Sequence, residues 1–360
     1  MKKIEFFLKN ILLHILLRFK HTSNPSKVIN FDNTSKILFI RLNRIGDALV
    51  TTPFIHYIKS NLSAKIYVLS DEKNKAAYQN NPDIYELLVF KKGLKGFLEI
   101  LRFIKKENIE TVVDLHDDVS TTVSFLMALC SANNKFGLEK ENKIIYSKTV
   151  QRLDGSKFHV VERLMELSKL FNLQVNYSNI KIHFRPEPNS NKKADDFISN
   201  NYGEKKFFIG INISAGSHAR FWGIENYNKL LNYFASLDVN LVILSSPHDL
   251  ELTGQIANSY FKYFVSETFS DFAAMISKLD FLFTPDTAAI HLASAYNVPS
   301  FGVYVKYKTN DMIWSPYNTK FDCVITEDEN LSRVTFDEVI SKLRPFLENI
   351  LSEYNVFKQS

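Results

Sequence analysis

Cysteine is nearly absent: the 360 residues hold two, Cys130 and Cys323, far apart and with no His or Cys at metal-ligand spacing. Neither a disulfide framework nor a zinc site is indicated, and a reducing cytoplasm is expected. Glycine (11) and proline (10) are scarce, and no tract has the composition of a disordered tail. There is no GxGxxG fingerprint and no Walker lysine motif, so neither a typical dinucleotide enzyme nor an ATPase is signalled. Charge of one sign is also modest. The formal excess is +5, spread along the chain rather than gathered on a recognition helix, which argues against nucleic acid.

The amino terminus, MKKIEFFLKNILLHILLRFK, lacks what a membrane span or a signal peptide needs. Its apolar run is broken by Lys9, Asn10, His14 and Arg18, and no small-residue cleavage site follows. On a helix, Ile4, Phe7, Leu8, Ile11, Leu12, Ile15, Leu16 and Phe19 share one face, with Lys2, Lys9 and Arg18 tending to the other. Residues 1–24 are therefore expected to form an amphipathic helix, lying on an anionic membrane surface or docked on the protein's own core.

What is present in abundance is alternation. At 45% hydrophobic residues and 360 in length, the chain exceeds what one core usually organises, and two domains are expected. KILFIRL, KIYVLS, ELLVF and TVVDLH read as strands, with helices near 47–60, 71–80, 94–106 and 119–131. The segment HVVERLMELSKLFNL reads as a long helix closing this half. HFRPEPNSNKK (183–193), with two prolines, charges and amides, reads as a linker. FFIGINIS, NLVILSS, KYFVS, FLFTPD and PSFGVYV then repeat the strand pattern, with helices between them and TFDEVISKLRPFLENIL at the end. The expectation is α/β: doubly wound domains at 25–182 and 194–360, with ligands in a cleft at the carboxyl ends of their strands.

Three loops then carry the chemistry. In RLNRIGDALVTTP, Gly46 would allow a tight turn, and Asp47 stands where a helix begins, as an N-cap or as a general base. Arg41 and Arg44 are candidates for holding an anionic acceptor or are ordinary solvated arginines. In ISAGSHARFW, the small residues Ser214, Ala215, Gly216 and Ser217 would let a phosphate approach the backbone, with Arg220 as its cation; Trp222 is read as packing the loop. In FLFTPDTAAIHLASAYN, a strand delivers Asp286 and Thr287 to a helix start suited to a diphosphate, and His291 follows one turn on. The DLHDD stretch, including Asp114 and His116, reads either as a divalent-metal site or as solvated loop and acceptor contacts.

In order, spacing and strand context these segments resemble glycosyltransferase family 9, the lipopolysaccharide heptosyltransferases, over approximately residues 36–350. The resemblance implies a GT-B architecture, with Asp47 as general base and the acceptor held by the first domain through Arg41, Arg44, Gly46, Asp114 and His116. It implies a donor site of Ser214–Ser217, Arg220, Asp286, Thr287, Ala288 and His291, with Arg220 standing where the family has a phosphate-binding Lys. Asp249, beside His248, would reach the ribose. The implied substrates are an ADP-heptose donor, used without a metal or other cofactor, and an anionic lipopolysaccharide core acceptor. Inversion at the anomeric carbon is expected, as are a monomer and a peripheral place on the inner face of the cytoplasmic membrane. One departure stands out: Ala288 replaces the family's Gly, and any positive φ there would be strained. A UDP- or GDP-sugar enzyme and a non-catalytic glycan-binding relative remain as alternatives.

Overall fold

The computed structural model describes residues 31–204, 206–257 and 260–359. The expected amino-terminal helix therefore lies outside the described residues. The chain divides into two units between His183 and Phe184.

The first unit is one parallel sheet of β1 (Lys36–Ile40), β2 (Lys65–Asp71), β3 (Glu86–Phe90), β4 (Thr111–Asp114), β5 (Asn134–Leu138) and β6 (Lys148–Val150). Its spatial order is β3-β2-β1-β4-β5-β6. The helices of this unit are α1 (Ile45–Leu49), α2 (Thr52–Asn61), α3 (Leu94–Lys106), α4 (Thr121–Leu129) and α5 (Val160–Met165). The second unit repeats the plan with β7 (Phe207–Asn212), β8 (Val239–Ser245), β9 (Tyr263–Val265), β10 (Phe281–Pro285), β11 (Ser300–Val305) and β12 (Phe321–Thr326), ordered β12-β11-β10-β7-β8-β9. Its helices are α6 (Pro188–Asn201), α7 (Ile224–Ala235), α8 (Leu250–Ala257), α9 (Phe269–Ile276), α10 (Ala288–Tyr296) and α11 (Phe336–Gln359). Counted within each unit, both orders are 3-2-1-4-5-6, the doubly wound arrangement in which chain direction across the sheet reverses between the first and fourth strands.

Burial explains which runs became central strands. In β1 (KILFI) four of five residues are buried, and all six of β7 (FFIGIN) are, as a strand covered by helices on both faces requires. The strands that sequence patterning missed, β5, β6 and β12, are shorter or more polar. Two of them, β6 and β12, are sheet edges, where half-exposed side chains dilute the apolar signal.

Four expected elements differ. The helix near 47–60 is two helices, because Pro53 has no N–H to continue the ladder; the Thr51 and Thr52 hydroxyls donate instead to the carbonyls of Ala48 and Leu49, each at 2.7 Å. Residues 71–80 form only a single 3₁₀ turn, Lys75–Ala77. The long helix of HVVERLMELSKLFNL ends at Met165 and tightens into a 3₁₀ stretch, Glu166–Phe171, closed by Asn172 in the left-handed region (φ 58°). The linker at 183–193 is largely the start of α6: Pro188 occupies the first helical position, where its missing N–H has no consequence, and Ser190 and Lys193 bond Asp271 of α9 at 2.7 and 2.9 Å.

Candidate functional site

Each unit places its polar loops where the strand order reverses. In the first, these are the loops after β1 and β4. The residue that turns the chain after β1 is Asn43, at φ 84°, with its N–H donated to Asp71 at 3.1 Å. Gly46 lies within α1 and is not the turn residue. Asp47 is not an N-cap either: that position belongs to Arg44, and Asp47 is the third helical residue. Its Oδ2 accepts from Arg41 Nη2 at 2.6 Å, while its Oδ1 makes no hydrogen bond among the described residues. The carboxylate is about one-fifth exposed and the Arg41 side chain 4% exposed. Arg41 also donates to the Leu115 carbonyl at 3.2 Å, so it is a buried clamp on Asp47 rather than a solvated arginine; Arg44 is exposed.

The DLHDD stretch points inward. His116 Nδ1 lies 2.7 Å from Asp114 Oδ1, and its Nε2 accepts the Leu42 N–H at 3.2 Å, which fixes a neutral ring with its proton on Nδ1. Asp114 Oδ2 accepts from Lys140 at 2.9 Å and from the Tyr146 hydroxyl at 2.6 Å. Burial opposes the charge on Asp114, but Lys140, His116 and Tyr146 more than offset it and hold the carboxyl well below its usual range. Burial pushes His116 down, with Asp114 pulling the other way and Arg41 and Lys140 adding to the depression. Asp117 is gripped by Arg152 at 2.8 Å and by Arg163 at 3.2 Å. Asp114 and His116 are thus not placed at a surface where an acceptor could touch them; all their side-chain polar atoms are spent inside the unit, holding the loop that carries Asp47. The Asp114 and Asp117 carboxylates of this stretch are paired with cations, Asp118 is exposed, and among the described residues no three His, Cys, Asp or Glu side chains converge as metal ligands.

In the second unit the loops after β7, β8 and β10 converge. Asn212, 1% exposed at the end of β7, donates to the hydroxyls of Thr284 and Thr287 at 2.9 and 3.1 Å and accepts the Ser214 N–H at 3.1 Å. Ser214 and Ser246 donate to Asp249 Oδ2 at 2.5 and 2.7 Å. Thr287 caps α10, accepting from the Ala289 N–H at 3.3 Å. Arg220 ends a 3₁₀ turn and pairs with Asp286 at 2.9 Å, which sets a guanidinium beside that helix start. Gly216 and Ser217 are exposed, and Ala215 is partly so. Ala288 is the first residue of α10 with no positive φ, so the expected strain is absent. His291 is buried, its ring 6.3 Å from that of Trp314. Trp222 packs the loop as expected: it is 1% exposed and donates to the Val334 carbonyl at 2.8 Å.

Sequence reasoning missed Asn212, Thr284, Ser246, Lys140 and Tyr146. Asn212 left one signal, a polar residue closing an otherwise apolar strand run. Lys140 and Tyr146 left none, because only folding brings them beside Asp114.

The sequence profile of glycosyltransferase family 9 (heptosyltransferase) matches residues 97–341, more than half of the chain. The chain belongs to glycosyltransferase family 9. A lipopolysaccharide core heptosyltransferase, OpsX of Haemophilus influenzae, is 21% identical over 306 residues, covering 82% of this chain and 86% of the relative. A putative lipopolysaccharide heptosyltransferase 4 of Escherichia coli is 25% identical over 332 residues, covering 89% of each. Among solved structures, a family 9 glycosyltransferase from Veillonella parvula superposes with a TM-score of 0.76 at 21% identity, covering 90% of this chain and all of that one. The E. coli heptosyltransferase WaaC, solved with ADP, gives 0.66 at 16% identity, covering 88% and 98%. This family 9 chain is thus a glycosyltransferase with the GT-B fold, its two doubly wound units being the pair that fold requires. The profile match begins downstream of the Asp47 loop.

Proposed function

We propose that this enzyme transfers a heptose, or a closely related sugar, from an ADP-sugar to an anionic lipopolysaccharide core acceptor, with inversion at the anomeric carbon. The observation that carries the reading is the Asp47 carboxylate at the reversal point of the first unit: Arg41 fixes Oδ2, and Oδ1 has no partner among the described residues. A base needs that combination of fixed orientation and an accessible lone pair. Asp47 Oδ1 takes the proton of the acceptor hydroxyl as its oxygen bonds to the anomeric carbon. The bond from that carbon to the diphosphate breaks on the opposite face, through a transition state of oxocarbenium character. Charge developing on the departing diphosphate is met by Arg220 and by the N–H groups of α10 beyond Thr287, without a metal ion. Asp249, aligned by Ser214 and Ser246, takes the ribose hydroxyls of the nucleotide. OpsX and the E. coli relative are named for lipopolysaccharide, and WaaC was solved with ADP; these support the choice of acceptor and nucleotide.

Titration of ADP, UDP and GDP, together with mass spectrometry of the lipopolysaccharide core from cells with and without this protein, tests the reading. ADP binds at least tenfold tighter than the others, and the core lacks one heptose in the deletion strain. A preference for UDP or GDP, or an unchanged core, removes the donor or the acceptor from the proposal.

A further inference from the structure

The stretch 91–106, KKGLKGFLEILRFIKK, leads from the edge strand β3 into α3 and is strongly lopsided in charge. It holds Lys91, Lys92, Lys95, Arg102, Lys105 and Lys106 against Glu99 alone, and its excess of five equals the formal net charge of the whole chain. All six cations are exposed, and none forms an ion pair among the described residues. Gly96, Ile100 and Ile104 face the core. At about 100° per residue, Leu94, Lys105, Leu98, Arg102 and Lys95 fall together in an arc of about 100° on the opposite side. In that arc Leu94 is 74% exposed and Leu98 37%, so two aliphatic side chains project from among cations. Their position is fixed: Gly93 turns at φ 105°, and a Cβ on Gly96 would stand 1.8 Å from the Lys91 carbonyl oxygen, so the loop is pressed onto the helix and Leu94 is held outward. Because the sheet is parallel, α3 starts at the end of the sheet where β1 delivers Asp47, and only β2 separates the two strands, so they are about 10 Å apart.

We propose that this face of α3 docks the enzyme on an anionic lipid bilayer, the leucines entering the acyl boundary and the cations meeting lipid phosphates, with the acceptor sugar presented beside Asp47. The proposal rests on the glycolipid-acceptor reading above. Charge complementarity selects the occupant: six exposed cations against Glu99 alone attract an anionic surface. Paired aliphatic side chains within a ring of cations match the headgroup boundary, where apolar insertion and surface potential act together.

The test is sedimentation of the full-length protein with vesicles of equal phosphatidylglycerol and phosphatidylcholine, and with phosphatidylcholine alone. The unmodified protein binds the anionic vesicles preferentially. Lys95→Glu with Arg102→Glu lowers that binding ~tenfold or more. Leu94→Ser with Leu98→Ser leaves only weak binding that moderate salt abolishes. Both double variants keep the parental melting temperature and parental transfer to a deacylated acceptor. Failure of the unmodified protein to bind anionic vesicles overturns the proposal, as does parental binding by both double variants. Absence of transfer to any lipopolysaccharide-derived acceptor would instead overturn the acceptor reading, and the vesicle result would stand separately.

Discussion

Asp47 and Arg41 form one unit of chemistry, so a substitution at Asp47 reads out twice. Asp47→Asn keeps an oxygen for Arg41 but loses the charge and the ability to take a proton. Stability falls by about 1–3 kcal/mol, the worth of a hydrogen bond to a charged group, and turnover falls by ~10²- to 10⁴-fold at temperatures where both proteins are folded. Donor affinity stays within about twofold, since the donor is assigned to the second unit. Transfer rate, donor affinity and melting temperature on one preparation decide it; near-parental turnover would leave Asp47 as the structural partner of Arg41. Arg220 permits a parallel separation. Arg220→Ala weakens nucleoside diphosphate binding ~10- to 100-fold while nucleoside binding barely moves, and Arg220→Lys restores part of the loss. Calorimetric titration of ADP and adenosine checks this, and equal losses for both ligands would take Arg220 off the phosphate.

Elements matter where their ends are tied together. Asn212 joins the end of β7 to β10 and to the cap of α10, and its removal leaves the Thr284 and Thr287 hydroxyls and the Ser214 N–H without that partner. Asn212→Ala is expected to lower stability by about 1–3 kcal/mol and nucleotide affinity by ~tenfold, because the helix start and the Ser214 loop lose their common anchor. Denaturant melts and ADP titration on the same variant test the coupling. Full nucleotide affinity in a destabilised variant would make the bridge purely structural. The central strands were legible because two-sided burial writes continuous apolar runs, and most of the helices because one buried face writes a three- to four-residue apolar period. The short helix pair α1 and α2, the 3₁₀ stretch after α5 and the start of α6 were not, since threonine hydroxyls, tighter turns and a tolerated proline leave the hydrophobic pattern unchanged.

At the scale of the whole first unit, the Asp114 network contributes to the response to acid, beside His183, whose pKa burial also depresses. His116 has a folded-state pKa below its ordinary value of 6.5, so the unfolded chain takes up that proton first and stability declines as pH falls below about 6.5. Asp114, also depressed, adds a second loss below about 3.8, where the unfolded carboxyl protonates first. Protonated His116 would also turn a donor toward the Leu42 N–H and loosen the loop that carries Asp47. Melting temperature from pH 7 to 5 is therefore expected to fall, with a smaller slope in His116→Gln; an unchanged slope would assign the acid sensitivity elsewhere. Asp114→Asn leaves the Lys140 ammonium buried without its carboxylate and is expected to cost about 3–5 kcal/mol at pH 7.

By itself the sequence determined two doubly wound units, the three loops that carry Asp47, Arg220 and Thr287, and the packing role of Trp222. Each follows from local pattern: apolar period, loop chemistry, and position after a strand. Only the tertiary structure decided that Asp47 is an Arg41-clamped carboxylate rather than a cap, that Asp114 and His116 face inward, and that Ala288 is unstrained. The first two of those outcomes depend on Lys140, Tyr146, Leu115 and Leu42, which lie far along the chain or expose only a backbone group, and the third on the backbone at the start of α10. Side-chain periodicity records which face is buried, and it carries no record of which distant partner will satisfy a buried charge.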